Sequence, residues 1–401
     1  GLKGRTVFAG VDGQPRSFRP EDHNDFGPRL GFAWDVLGSG RTSLRGGYAI
    51  FYPYMFFRST WPSRQGFAQT STSYLPPGGN TNFPAFQFKD GFPTPPIPPQ
   101  GSRLGPSAFL GQSMTWEEPY GTTSMSQQWN LSAQQQLTSG WVAEATYTAN
   151  HGTHFFAGNY EYNQLDPKDL ALGLALQDRV PNPYAGVVPG SLGAATITRA
   201  QSLLPYPYYS SIAVLCPLLG NFNYHAFLLS LEKRMSSGLA LLVSYTAGKL
   251  IGDSVRTNMD FGPVEQTNII GYQNGKYDRR SERSVDPTDV AQRGVVSMLY
   301  ELPFGAGRHW SSSHRWVNQV FGGWQVNTIG TMQTGIPLVV RGASNYLADR
   351  PNSTGQSPRL DQRSAAKWFD TSQFVNPPNY TYGNISRTLP DARTPGTLNW
   401  D

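Results

Sequence analysis

Segments of period-two polarity recur along the 401-residue chain, and the connections between them alternate in length. Short links occur at Gly38 to Gly40, Thr138 to Gly140 and Ser236 to Gly238, while long insertions occupy 53–124, 151–222 and 251–292. If consecutive strands run antiparallel, every short turn falls at one end and every long loop at the other. Structureless loops of about 70 residues count against a compact soluble domain, whereas a wide barrel can fold them over its mouth. The link at 303–322 belongs by parity to the short-turn end and is longer than this rule expects.

Side chains of a strand point alternately to its two faces, so parity sorts them. In TSLRGGYAIFY (42–52), Leu44, Tyr48 and Ile50 share one face, while Arg45 and, just before the segment, Arg41 share the other. MSQQWNLSAQQQL (125–137) sets Trp129 and Leu131 against Gln128, Asn130 and Gln134. WVAEATYTA (141–149) sets Trp141 and Tyr147 against Glu144. RLGFAWDVL (29–37), RGVVSMLYEL (293–302) and GWQVNTIGTMQT (323–334) repeat the pattern, and the pair at 224–235 and 239–250 is apolar on both parities in places. An apolar face rich in Tyr and Trp suits lipid and its interface; a face of amides, hydroxyls and charges suits a watery or plugged lumen. Backbone amides in hydrocarbon are all satisfied only if such a sheet closes. The expected fold is therefore all-β, an antiparallel up-and-down transmembrane β-barrel.

Composition agrees with that class. Charged residues make up 15% of the chain, against roughly 25% in soluble domains, and aromatics 13%. No 18-residue apolar run exists, which excludes a transmembrane helix but not a barrel, whose strands need only about 9 to 11 residues. Mean hydropathy is −0.42. The net charge of +5 comes from scattered arginines, so nucleic acid is not an expected partner. Cys216 is the single cysteine, and no disulfide or paired-cysteine metal framework can form within the chain. No stretch shifts cleanly to helical composition, and one β domain over 1–401 is expected.

The runs FGPRLGFAWDVL and TSLRGGYAIFY (26–52), SQQWNLSAQQQL and GWVAEATY (126–147), and NYHAFLLSLEKRMSSGLALLVSYTAGKLI (223–251) resemble the Oar-like TonB-dependent transporters of the bacterial outer membrane. So do DRRSERSVDPTDVAQRGVVSMLYELPFGAGR (278–308), FGGWQVNTIGTMQTGIPL (321–338), WFDTSQF (368–374) and the segments YGNISRT and GTLNWD (382–401). They follow the family's order across nearly the whole chain. The resemblance implies a barrel of about 22 strands filled by a plug domain and driven through a TonB complex, of which this chain is an internal fragment. It also implies that a large substrate, peptide, protein or glycan, is moved or bound at the outer membrane. About eight to eleven strands are countable here, too few for that barrel. The plug, the TonB-contacting segment and the N-terminal regulatory domain of the family have no counterpart in these residues.

Chemistry has little support. HGTH (151–154) offers two imidazoles without a third ligand nearby. Glu117, Glu118 and Glu144 lack the convergence that a glycosidase pair needs. No GxSxG context appears, and GAG at 305–307 lacks the Lys-Ser/Thr of a phosphate loop. Neither an enzyme nor a cofactor is expected. The charged run DRRSERSVDPTD (278–289) reads foremost as a self-paired polar loop and secondarily as a patch lining the mouth through Arg279 and Arg280. Tyr206 and Tyr208 are candidate stacking contacts for a substrate in the loops. The competing class is a soluble secreted all-β module binding carbohydrate or protein, in which the apolar parity is buried between two sheets.

Overall fold

The computed structural model describes residues 2–17, 22–53, 65–69, 74–116, 123–215, 217–253, 272–342 and 350–401. Glu117, Glu118 and Cys216 lie outside them. The contacts group into two compact units.

The larger unit is built on one antiparallel meander: β1 (Arg29–Asp35), β2 (Thr42–Phe51), β3 (Met125–Thr138), β4 (Trp141–Phe155), β5 (Gly220–Ser236), β6 (Leu239–Gly252), β7 (Gln292–Glu301), β8 (Gln325–Gln333) and β9 (Thr397–Trp400). Each strand pairs with its sequence neighbour, and the two-residue strand Ser284–Val285 adds to β6, giving ten strands. Among the described residues the only other sheet in this unit is the two-residue pair Asn352–Ser353 and Phe374–Val375, so no facing second sheet of a sandwich is seen there. The sheet is open: among the described residues β1 and β9 each pair on one side. It is a partial barrel wall.

Alternation of Val, Thr, Tyr, Trp and Ile with polar residues selects extended backbone, and the turns fix the register. Between β5 and β6 the loop is Ser237-Gly238, with φ of 52° and 77°. Positive φ at both positions matches the right-handed twist of the flanking strands, and glycine adopts it without cost. The link between β7 and β8 is the long one at the short-turn end, and it contains a short helix, Arg315–Phe321.

The smaller unit is assembled from the described residues of 1–21, 56–120 and 161–215, the chain of two long insertions and the N-terminal segment. Its core joins Leu110, Val188, Tyr208, Tyr209 and Ile212. Ser113–Trp116 pairs in parallel with Ser211–Val214. The Tyr-rich turn is held by two side-chain amides, of which Asn163 is buried. Asn163 Nδ2 donates to the carbonyls of Tyr206 (2.8 Å) and Tyr209 (3.2 Å), and Gln201 Nε2 donates to those of Pro207 (2.7 Å) and Tyr209 (2.9 Å). The Pro-rich stretch packs locally, with Phe86 5.1 Å from Tyr74 and 5.3 Å from Phe92 between ring centroids.

Candidate functional site

Residues directly opposite in an antiparallel pair lie on the same face, so successive pairings carry a face across the sheet. Trp34 pairs with Leu44, Tyr48 with Trp129, Leu131 with Tyr147, and Tyr147 with Phe227. Leu229 continues to Tyr245, Tyr245 to Gly294, Gly294 to Met332, and Met332 to Leu398. One face is therefore apolar from edge to edge. The opposite face runs through Arg45 with Ser132, Ala49 with Gln128, Asn130 with Thr148, and Gln134 with Glu144, then Ser230 with Ser244 and Val295 with Thr331. Leu228, Leu242 and Leu250, which make the pair of β5 and β6 apolar on both parities in places, sit on this polar face.

Local contacts stiffen both faces. The Glu144 carboxylate accepts from Ser132 Oγ at 2.6 Å and Thr146 Oγ1 at 3.0 Å, joining β3 to β4. On the apolar face, Tyr147 OH lies 2.7 Å from His225 Nδ1, and the His225 ring is 6.2 Å from Trp129. Tyr48 OH donates to Gln127 Oε1 at 2.9 Å. Tyr48, Trp129, Tyr147 and His225 thus form an aromatic row toward the long-loop end, while Trp34 and Trp141 lie beside the short turns. Ile50 is on the same face as Tyr48, opposite Gln127. The face is exposed: Leu30 at 71%, Met332 at 61% and Trp400 at 64%. A contiguous apolar surface of this extent exceeds what soluble monomers tolerate.

Arg41 immediately precedes β2, which begins at Thr42, and its carbonyl accepts from the Gln136 amide at 2.8 Å. Two sequence expectations are corrected. Tyr208 is 1% exposed in the core of the smaller unit and its hydroxyl donates to the Lys3 carbonyl, so it is a packing residue and not a surface for a substrate. Tyr206 is half-buried beside it.

The second concerns the charged run, which adds partners from far along the chain to bonds within itself such as Ser281 N to Asp278 Oδ1 (3.3 Å) and Thr288 N to Asp286 Oδ1 (2.8 Å). Glu282 is fully buried and ion-paired with buried Arg350, and its Oε1 accepts from the amides of Gln273 (2.9 Å) and Asn274 (3.0 Å). Arg387 Nε donates to the Glu282 carbonyl at 2.6 Å and its Nη2 to the Gly252 carbonyl at 3.1 Å. Its guanidinium lies 5.4 Å from the centroid of the Tyr272 ring, and burial lowers its pKa. Asp253 accepts from the Asn221 amide at 2.6 Å and pairs with Arg279 at 3.2 Å. Asp289 accepts from the Leu250 amide at 2.6 Å and pairs with Arg393 at 2.6 Å. Arg280 is exposed. Arg350, Arg387 and Arg393 were not singled out from sequence, since they stand in aperiodic chain with no local signal.

These carboxylates are engaged by arginines and amides, an arrangement that fixes loops at the ends of β6 and β7. His151 contacts Asn223 across β4 and β5. Among the described residues, no group of three or more His, Cys, Asp or Glu side chains is placed to hold a metal.

The chain matches the outer membrane beta barrel domain over residues 2–401. It belongs to that family. The protein is accordingly a component of the bacterial outer membrane. Among solved structures it is similar to the outer membrane transporter YddB from Escherichia coli, at 10% identity and a TM-score of 0.41, covering 93% of this chain and 33% of the transporter. It is also similar to a chain of the FpvAI-pyocin S2 complex, at 7% identity and a TM-score of 0.32, covering 79% of this chain and 23% of the other. The chain thus spans about a third or less of the solved structures it resembles. No curated protein matches it.

Proposed function

We propose that this chain forms part of the wall of a TonB-dependent outer-membrane transporter or receptor of the Oar-like kind. The apolar face lies against lipid, and the polar face, with Arg45, Gln128, Asn130, Gln134 and Glu144, lines the lumen. The observation that supports this is the register of two opposite faces carried across nine strands, with shifts only near strand ends at Gln136/Thr138, Gly220/Phe222 and Lys233/Ser236. A plug domain and a TonB complex are the partners the reading requires, and the amide and hydroxyl row is the surface a plug would touch. The substrate is a large peptide, protein or glycan, with Arg280 in the larger unit and Tyr206 in the smaller unit as separate candidate contacts. The wall itself contributes no catalytic group.

The test is cysteine labelling of the full-length protein in intact cells with a small water-soluble thiol reagent. Leu44→Cys and Ile50→Cys should be protected, while Arg45→Cys and Ala49→Cys should label. Equal labelling of the two pairs would mean that no lumen lies behind Arg45, and the transporter reading would fail.

A further inference from the structure

A cavity of about 1070 Å³ opens at the long-loop end of β6, β7 and β8. Its floor includes one rung of the apolar face, Tyr245, Gly294 and Met332, which are successive partners across the three strands. Gly294 leaves the rung without a central side chain, and the space above it is bounded by the methionine, whose Cγ and Cε lie 3.6 Å from where a Cβ would stand. The wall is cationic. Arg359 and Arg363 both line the cavity and are exposed, and neither has a carboxylate partner among the described residues. Arg363 is held in place: its guanidinium lies 5.4 Å from the Trp368 ring centroid and its Nε donates to the Leu360 carbonyl at 3.3 Å. Trp368 in turn donates from Nε1 to the Arg393 carbonyl at 2.6 Å. Arg393 is committed to Asp289 and acts as the anchor of this wall. Arg293, also in the lining, belongs to the opposite parity of β7, and Asp391 is the one carboxylate present.

We propose that this cavity is a binding site for the phosphorylated headgroup of a lipid in the leaflet on the long-loop side. The inference rests on the reading of the apolar face as lipid-facing. A soluble anion would be served by the arginines alone. Here the cationic wall stands directly over an apolar rung continuous with the face below it, which is the polarity profile of an amphiphile: phosphate at Arg359 and Arg363, acyl chain along Tyr245, Gly294 and Met332. Guanidinium forks match phosphate oxygens in charge and geometry, and basic pockets beside membrane spans capture anionic headgroups in this way. Two arginines against one aspartate leave the site net positive. The aspartate can accept from headgroup hydroxyls without cancelling both cations.

The experiment uses the full-length protein purified from outer membranes in a zwitterionic detergent. Native mass spectrometry counts adducts of phosphatidylglycerol, of phosphatidylcholine and of inorganic phosphate over a concentration series. One phosphatidylglycerol adduct should saturate first, phosphatidylcholine should bind more weakly, and inorganic phosphate should not displace the lipid. Removal of each arginine, in Arg359→Ala and Arg363→Ala, should weaken that adduct roughly five- to tenfold. Gly294→Leu, which fills the floor without touching a charge, should weaken it as well. Undiminished phosphatidylglycerol binding in the double arginine variant overturns the proposal. So does equal binding of phosphatidylcholine, whose phosphate is offset by its own ammonium, which would show that the arginines do not select a net anionic headgroup, or displacement by phosphate, which would make it an anion site. Gel migration with and without heating separates the two readings: a wild-type protein that fails to show the heat-dependent shift of a folded barrel defeats the lipid-facing assignment itself, whereas a normal shift with unselective adducts defeats only the lipid site.

Discussion

Glu282 and Arg350 meet as a buried ion pair although 68 residues of chain separate them. Both side chains are fully withdrawn from solvent, and the carboxylate's second oxygen is occupied by two backbone amides. Removing one partner of such a pair strands a charge in the interior, at a cost of about 3–5 kcal/mol. Arg350→Ala should therefore destabilise the purified barrel by about that amount in denaturant titrations, with proteolytic nicking of 377–393 appearing before global unfolding. The double variant Glu282→Leu, Arg350→Met should recover much of the loss, because neither charge is then left behind. A single-variant effect below about 1 kcal/mol, the level of exposed pairs, would mean that this cluster is open to water in the folded protein.

Tyr272 makes the same cluster sensitive to alkali. The residue lies in the long-loop region, outside the membrane-spanning strands, and its hydroxyl donates to the Asp253 carbonyl. Burial, the largest cause, pushes its pKa from 10.0 up to about 12. The folded state thus favours the neutral phenol. That contribution is complete below the unfolded value of 10.0 and is lost as pH rises toward about 12, because over this window the unfolded chain releases the proton first. Unfolding free energy should fall with pH across it by an amount of order 1–3 kcal/mol. Tyr272→Phe should be less stable at neutral pH, through loss of the hydrogen bond, yet show a shallower alkaline slope. Identical slopes for the two proteins would refute the assignment.

Leu229 and Ser230 are neighbours in mid-β5 that face opposite ways, Leu229 beside Tyr245 and Ser230 beside Ser244. An arginine on the lipid face near the bilayer midplane costs about 2–4 kcal/mol, while a lumen position accommodates it. Leu229→Arg should lower both membrane yield and unfolding free energy, and Ser230→Arg should leave them nearly unchanged. The reverse ranking would invert the faces.

Parity and loop length made the wall readable from sequence: the strands at Thr42–Phe51, Met125–Thr138 and Trp141–Phe155 pair so that Trp129, Leu131 and Tyr147 share one face and Arg45 and Glu144 the other. The period-two signal is local, and each strand pairs with its neighbour in sequence, so no long-range information was needed. The ion-pair cluster was not readable for the complementary reason. Glu282 stands in a charge-dense run that offers nearby arginines, but its partners Arg350 and Arg387 lie in aperiodic, Pro-rich chain whose path no local rule predicts. Tyr208 misled for a related reason. An aromatic in a loop signals either a binding surface or a core, and the choice depends on Leu110, Val188 and Ile212 arriving from separate segments.

The edges of the sheet are pinned by rings laid over glycines. At one edge Phe32 of β1 covers Gly46 of β2, where a Cβ would come within 2.5 Å of the ring; at the other, Trp400 of β9 covers Gly330 of β8, at 2.4 Å. An aromatic side chain over a cross-strand glycine restores the contact the glycine lacks and helps hold register where only one neighbour pairs. The pairing of Thr397–Trp400 with β8 extends to the reciprocal hydrogen bonds of Ile329 and Asp401, each 2.9 Å. Gly330→Ala should push the exposed Trp400 ring outward and free the strand. Hydrogen exchange at the amides of 397–401 should then accelerate by about tenfold or more, with the amides shared by β5 and β6 unaffected, because loosening the β8–β9 pairing opens it locally and leaves distant pairs intact. Trp400→Ala should produce the same acceleration with the glycine intact. If both variants exchange like the wild type, the edge is held by backbone hydrogen bonds alone, and the rings over Gly46 and Gly330 play no part in its register.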